Sequence, residues 1–168
     1  MVVSLTPDEA VAFLVRAGCN EDVLTHCRVV SDLARVYAVQ SGVADVELTA
    51  LSGLLHDIGR GKTHTIGHAQ VGGDLCRDEG LPEAVAKGVE CHTGAGLTAD
   101  ECTLLGLLPR DCVPHSVEEQ IVAHVDNLVR GERVVSLDER LMKAAVLPRR
   151  IRRRIYHLAT RVELICND

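Results

Sequence analysis

The chain has 168 residues, 46% of them hydrophobic, and a net charge of −6. That length supports one domain with a substantial core, and the acidic balance argues against a general nucleic-acid coat. Three aromatic residues, Phe13, Tyr37 and Tyr156, are too few for a surface that stacks bases on rings. No apolar run reaches the length of a membrane span, and the N-terminus lacks the basic-then-apolar layout of a signal peptide. A cytoplasmic protein is the expectation. Seven cysteines, an odd number with no Cys-x-x-Cys pair, read as reduced, buried small hydrophobes rather than a disulfide scaffold or zinc ribbon. Cys91, next to His92, is the one thiol to watch as an extra metal ligand.

The first helix opens at Thr6-Pro7-Asp8-Glu9, a capping box with proline in the first turn. Ala10, Phe13, Leu14 and Ala17 give its apolar stripe, and Gly18 ends it. Asn20 caps a second helix that runs to about Gln40. Its expected inner face is Val23, His26, Val30, Leu33 and Tyr37, spaced three or four apart. His26 on such a stripe is either a core histidine bonded to a neighbour or a ligand. Asp45 caps a third helix with Leu48, Leu51, Leu54 and Leu55 on one face. His56 and Asp57 stand where this face runs out into a glycine turn. A nitrogen donor beside an oxygen donor on a rigid element is a start for a divalent-metal site.

Gly59-Arg60-Gly61-Lys62-Thr63-His64-Thr65 follows directly. Flexible backbone and two cations suit an incoming phosphate, although Arg60 and Lys62 can equally offset nearby acids. The glycine spacing is not that of a Walker loop. A helix from Gly67-His68 to about Gly80 puts His68, Val71 and Leu75 on one face, with His64 four residues before His68. Pro82 starts a helix whose inner face reads Val85, Val89 and His92. Thr93 to Gly96 turns the chain, and Thr98 to Glu101 is a second capping box on a short helix to Gly106.

Pro109 to Pro114 is a loop, with His115 exposed at its end. Ser116 to Glu119 reads as a third capping box. The helix it opens buries Val117, Ile121, Val125 and Leu128 and ends at Gly131. Asp126 flanks that stripe, where an unpaired carboxylate needs a cation or strong donors. His124 and Asn127 are either supports for it or plain surface. Residues 132–136 connect to a short helix, Leu137 to Met142, and a last helix from Pro148 to Ile165 carries Arg149, Arg150, Arg152, Arg153, Arg154 and Arg161. That face is a solvated basic surface, a dock for a phosphate-rich substrate, or a contact for the acidic face of a second subunit. Nothing reads as a strand. The expectation is an all-α, single-domain helical bundle over residues 1–168, with 146–168 a basic C-terminal helix packed on it.

His26, the pair His56-Asp57 and Asp126, with His68 and His92 between them in order, resemble the signature of the HD superfamily of metal-dependent phosphohydrolases, in its His-Asp-Ile-Gly (HDIG) variant. The segments 90–98 and 121–128 resemble an uncharacterised, largely archaeal branch of it. The resemblance covers roughly residues 5 to 145. It implies an all-α fold and one metal held by His26, His56, Asp57 and Asp126. It implies a second metal on His68 and His92, with Asp57 bridging. The implied cofactor is one or two divalent ions of Mn, Fe, Co, Ni, Zn or Mg. The implied reaction is hydrolysis of a phosphomonoester or phosphodiester by a metal-activated water. Asp57, Arg60, Lys62 and His64 would serve catalysis. The substrate would be small, phosphorylated and nucleotide-like, or an RNA end, with a homodimer compatible. A non-catalytic metal- or nucleotide-sensing domain acting through a partner is the competing expectation, and an RNA-binding module led by the arginine helix is a third, set back by the acidic net charge and the scarcity of aromatics.

Overall fold

A computed structural model describes residues 5–167. Among them nine α-helices and one two-stranded ribbon form the fold. The helices are α1 (Pro7–Ala17), α2 (Glu21–Ser41), α3 (Val46–Leu55), α4 (His68–Asp78), α5 (Glu83–Glu90), α6 (Ala99–Leu104), α7 (Val117–Asn127), α8 (Leu137–Ala144) and α9 (Arg149–Cys166). The ribbon pairs β1 (Val129–Arg130) with β2 (Arg133–Val134), antiparallel, through a turn at Gly131. The expected all-α class holds. No helix among the described residues is long and apolar enough to cross a membrane.

The helix starts follow local chemistry. Thr6 and Glu9 form a reciprocal capping box, as do Thr98 and Glu101, and Asn20 and Asp45 accept from the third residue onward. Ser116 caps α7 in the same way, but the expected third box is only half made. Glu119 turns its carboxylate to the His115 amide instead, at 2.8 Å. The helix expected to reach Gly131 stops at Asn127, and the ribbon occupies the rest.

Helix α3 lies at the centre, packed against α1, α2, α5 and α7. The expected one-sided stripe is therefore wrong. Thr49, Ala50, Ser52, Gly53, Leu54 and Leu55 are all buried, while Leu48 and Leu51 are only half-buried. A similar shift occurs in α2, whose buried face is Leu24, Cys27, Val30, Ala34 and Ala38, with His26, Leu33 and Tyr37 at its edge. In α4 the glycines Gly72 and Gly73 are buried and Val71 and Leu75 only partly so. Small residues win these faces because backbone then meets backbone; Ser31 Oγ donates to Ala50 O at 2.8 Å across the α2–α3 contact.

Residues Ile58–Gly61 form a 3-10 turn rather than a flexible loop. A methyl group on Gly59 would lie 1.9 Å from His68 O, and one on Gly61 would lie 2.3 Å from Ala17 O. These glycines let the turn seat directly on α4 and on the end of α1. Their role is close approach, not mobility.

Gly59→Ala is expected to destabilise the fold by about 3 kcal/mol, the upper range for overpacking against backbone. Gly94→Ala, where φ is +62 and space is open, is expected to cost only about 1–2 kcal/mol, from the left-handed backbone alone. Urea denaturation measures both, and equal losses would refute the packing role of Gly59.

Candidate metal centre

Five separate stretches bring their side chains to one cleft of about 330 Å³ or its floor. His26 comes from α2, His56 caps the C-terminus of α3, and Asp57 follows it. His68 begins α4, His92 stands two residues past α5, and Asp126 is near the end of α7. The rings run in a chain, with centroids 5.1 Å apart for His26–His56, 4.8 Å for His56–His92 and 5.1 Å for His68–His92. His56, His68 and His92 are buried, whereas His26 and Asp126 reach the cleft.

The backbone sets the tautomer of each ring. His56 Nδ1 faces Gly53 O at 2.7 Å, His68 Nδ1 faces Thr65 O at 2.8 Å and His92 Nδ1 faces Val89 O at 2.6 Å. His26 Nδ1 faces Gly131 O, in the turn of the ribbon, at 2.7 Å. A carbonyl only accepts, so each Nδ1 carries hydrogen and donates it. In the neutral ring Nε2 is then left with a lone pair, and all four Nε2 atoms point inward.

The two oxygens of Asp57 divide these nitrogens. Oδ2 lies 3.7 Å from His56 Nε2 and 4.0 Å from His26 Nε2, while Oδ1 lies 3.1 Å from His68 Nε2 and 3.5 Å from His92 Nε2. Asp126 Oδ1 is 3.0 Å from His26 Nε2 and 3.2 Å from His56 Nε2. Despite this crowding, His56 Nε2 and Asp57 Oδ1 are buried without a well-directed hydrogen bond. His68 Nε2 and His92 Nε2 stand 3.1 Å apart, two lone pairs facing each other when both rings are neutral. Burial opposes charge on Asp57 and Asp126, but the surrounding histidines outweigh it and hold both carboxyls well below their ordinary range. Burial likewise opposes a proton on His56, but the Asp57 and Asp126 carboxylates outweigh it and hold that ring above its ordinary range. The site calls for positive charge among convergent, underused donors. A divalent ion meets that need: His26, His56 and Asp57 form one group with ligand spacing, and Asp57, His68 and His92 form another.

Of the residues expected to serve catalysis besides Asp57, only Arg60 enters the cleft, its Nε 3.0 Å from Asp57 Oδ1. Lys62 and His64 are exposed on the adjoining turn and do not line it. Cys91 faces away, into a small cluster with Cys102 and Cys112, where burial holds its thiol above the ordinary range. His124 is neither surface nor support for Asp126: it is buried and pairs with Glu163 of α9 at 2.7 Å, which also accepts from Tyr37. Asn127 donates to Gly94 O and accepts from Arg140.

Several residues at or behind the site escaped the sequence reading: Arg130, Glu139, Arg140 and Lys143 line the cleft, and Glu90 lies behind it. Arg140 of α8 lines the cleft and makes no ion pair among the described residues. Glu90, two residues before His92, is fully buried. Burial alone would raise it, but Arg77, Arg110 and Lys87, at 2.9–3.3 Å, more than reverse this and hold it down to about 2. A glutamate among apolar positions at the end of α5 was the available signal.

A family model of the HD domain matches residues 23–131, and the chain belongs to that family. An uncharacterised protein of Methanocaldococcus jannaschii is 45% identical over 129 residues, 74% of this chain and 76% of that protein. The tRNA (cytidine(56)-2′-O)-methyltransferase of Thermoplasma volcanium is 40% identical over 139 residues, 82% of this chain but only 41% of that enzyme. Among solved structures, the HD domain of the L. monocytogenes phosphodiesterase PgpH shares the fold, with a TM-score of 0.54 at 14% identity. The match covers 93% of this chain and 98% of that one.

Elemental analysis of protein purified without chelator tests the donor set. Asp57→Ala, which removes both oxygens, is expected to bring metal content close to zero with helicity kept. His92→Ala is expected to lower it by about one ion per chain, as a two-ion centre requires. Unchanged metal content in Asp57→Ala would refute the assignment.

Proposed function

We propose that this protein is a divalent-metal-dependent phosphohydrolase acting on a nucleotide-type phosphomonoester or phosphodiester: a nucleotide, a 2′,3′-cyclic phosphate or an RNA end. The observation that carries this reading is the convergence of four inward Nε2 atoms on two carboxylates at a half-open cleft. We read residues 1–168 as one such domain, with the basic C-terminal segment packed on it. The names of its relatives point the same way: one is a tRNA methyltransferase, and the structural neighbour belongs to a phosphodiesterase.

On this reading His26, His56, Asp57 and Asp126 hold one ion, and His68 and His92 hold a second with Asp57 facing both. When bound, such ions supply Lewis acidity, polarising a phosphoryl oxygen and bringing the pKa of water toward neutrality. The chain supplies position and charge. The four backbone carbonyls keep every imidazole proton on Nδ1, so none of these rings turns a donor toward the ions. Arg60 keeps Nε on Asp57, which leaves its terminal N–H groups for the phosphoryl oxygens as negative charge builds there. Arg130, Arg140 and Lys143 line the same cleft, outnumber Glu139 beside them, and draw an anionic substrate into it. Lys62 and His64, on the exposed turn, meet the outer part of the substrate.

The test is turnover of bis(p-nitrophenyl) phosphate, p-nitrophenyl phosphate and a 2′,3′-cyclic nucleotide by the Mn-loaded protein. Hydrolysis of at least one is expected, abolished by EDTA and restored by Mn. Asp57→Asn is expected to lower kcat/KM by about 10³-fold or more. A metal-loaded protein that turns over none of them would favour a sensing domain that acts through a partner.

A further inference from the structure

The cleft at the metal centre continues beyond Arg140. That side chain lines both the cleft and a neighbouring groove of about 430 Å³. The groove is aliphatic, walled by Ile66, Leu97, Leu105, Leu147 and Ile151. Ile66 is 40% exposed and Leu105 48%, so the groove opens to solvent. At its margin Glu101 accepts from Arg154 at 2.8 Å and stands 3.5 Å from Arg150. Arg154 also donates to Gly96 O, itself part of the groove wall, at 2.8 Å.

These two arginines lead to a third feature. Arg149, Arg150, Arg153, Arg154 and His157 recur at i, i+1, i+4, i+5 and i+8 and line a basic cleft along one face of α9. Arg149 and Arg153 make no ion pair and no side-chain hydrogen bond among the described residues. Helix α9 holds six arginines against one acid, in a chain whose net charge is −6. The cationic surface is concentrated here instead of being balanced locally.

The anion site meets the aliphatic groove at Arg140, and the groove meets the arginine row at Glu101, whose charge Arg154 and Arg150 offset. A polynucleotide strand has the same alternation of phosphate, base and phosphate. We infer that the protein binds a single-stranded polynucleotide along this path, its terminal phosphoester at the metal centre, the adjoining base in the groove and the following phosphates on Arg149, Arg150 and Arg153. The position of the terminus rests on the phosphohydrolase reading; the binding does not. A free mononucleotide would leave the arginine row unused, and a hydrocarbon chain would have no use for it. A duplex keeps its bases paired and cannot place one in the groove. The groove holds no aromatic ring, so recognition is by shape and charge, without base sequence.

Fluorescence anisotropy of a fluorescein-labelled 12-nucleotide RNA against the full-length protein, over a salt series, tests the path. Arg149→Ala with Arg153→Ala is expected to weaken binding about tenfold at 50 mM salt. The slope of log affinity against log salt should fall by about 1.4, or about 0.7 for each phosphate that is no longer neutralised. Ile66→Asp, an exposed position whose change does not threaten the core, is expected to weaken binding about fivefold. Variants that bind the strand like wild type, or a wild type that binds the RNA duplex as tightly as the single strand, would overturn the inference. So would a wild-type dimer in sedimentation that Arg149→Ala with Arg153→Ala dissolves, since the arginine row would then serve a second copy. A protein that binds the strand but never hydrolyses a phosphoester sinks the phosphohydrolase reading and leaves this one standing.

Discussion

An imidazole has two nitrogens, and in this protein the backbone decides which one carries the proton. Four carbonyls, of Gly53, Thr65, Val89 and Gly131, each take the Nδ1 hydrogen of one histidine. Three of the four bonds span three residues. Two of those use carbonyls from the last turn of α3 and of α5, which have no partner within the helix. Satisfying a helix end and orienting a ring are thus one interaction at His56 and at His92. The fourth bond is long-range: the ribbon turn at Gly131 holds the ring of His26, on a helix more than a hundred residues earlier in the chain.

The rings converge only because the elements carrying them sit unusually close. Gly59 lies on the backbone of α4, and Gly72 of α4 lies against Val89 of α5. Gly88 sits against Ser52, and Gly53 against Ser31 and Ala34. Small residues on α2, α3, α4 and α5 remove the side-chain layer that ordinarily separates helices, and the site fills the resulting intersection. Behind it, the buried Glu90 with Arg77, Arg110 and Lys87 ties the end of α5 to α4 and to the loop before α7. The polar support is buried for the same reason as the site: the packing is too close to leave it in water, so it has to be fully paired.

Much of this was legible in the sequence. Helix starts carry their own chemistry, and Thr6, Asn20, Asp45, Thr98 and Ser116 were readable as caps because the interaction spans three residues. The six candidate ligands were readable as an ordered set, and the fold brings all of them together. The inner faces of α2, α3 and α4 were misread because large apolar residues mark a stripe more loudly than the Ala34, Gly53 and Gly72 that make the contacts. Arg140 and the partnership of His124 with Glu163 depend on residues distant in sequence, or on a cavity, and no local pattern announces them, whereas Glu90 was marked only as an acid among apolar positions. The two-residue strands of the ribbon are too short to show alternation.

The candidate ligands run from residue 26 to residue 126 and come from five elements. Their convergence requires contacts far apart in sequence, each of which carries a loop-closure cost that no local helix repays. Local helices can form early, each with its capped start, and still hold no binding site between them. The centre is complete only where α7 is docked and the ribbon turns Gly131 toward His26. An ion held there would report that all five stretches are in place, which helix content alone does not report.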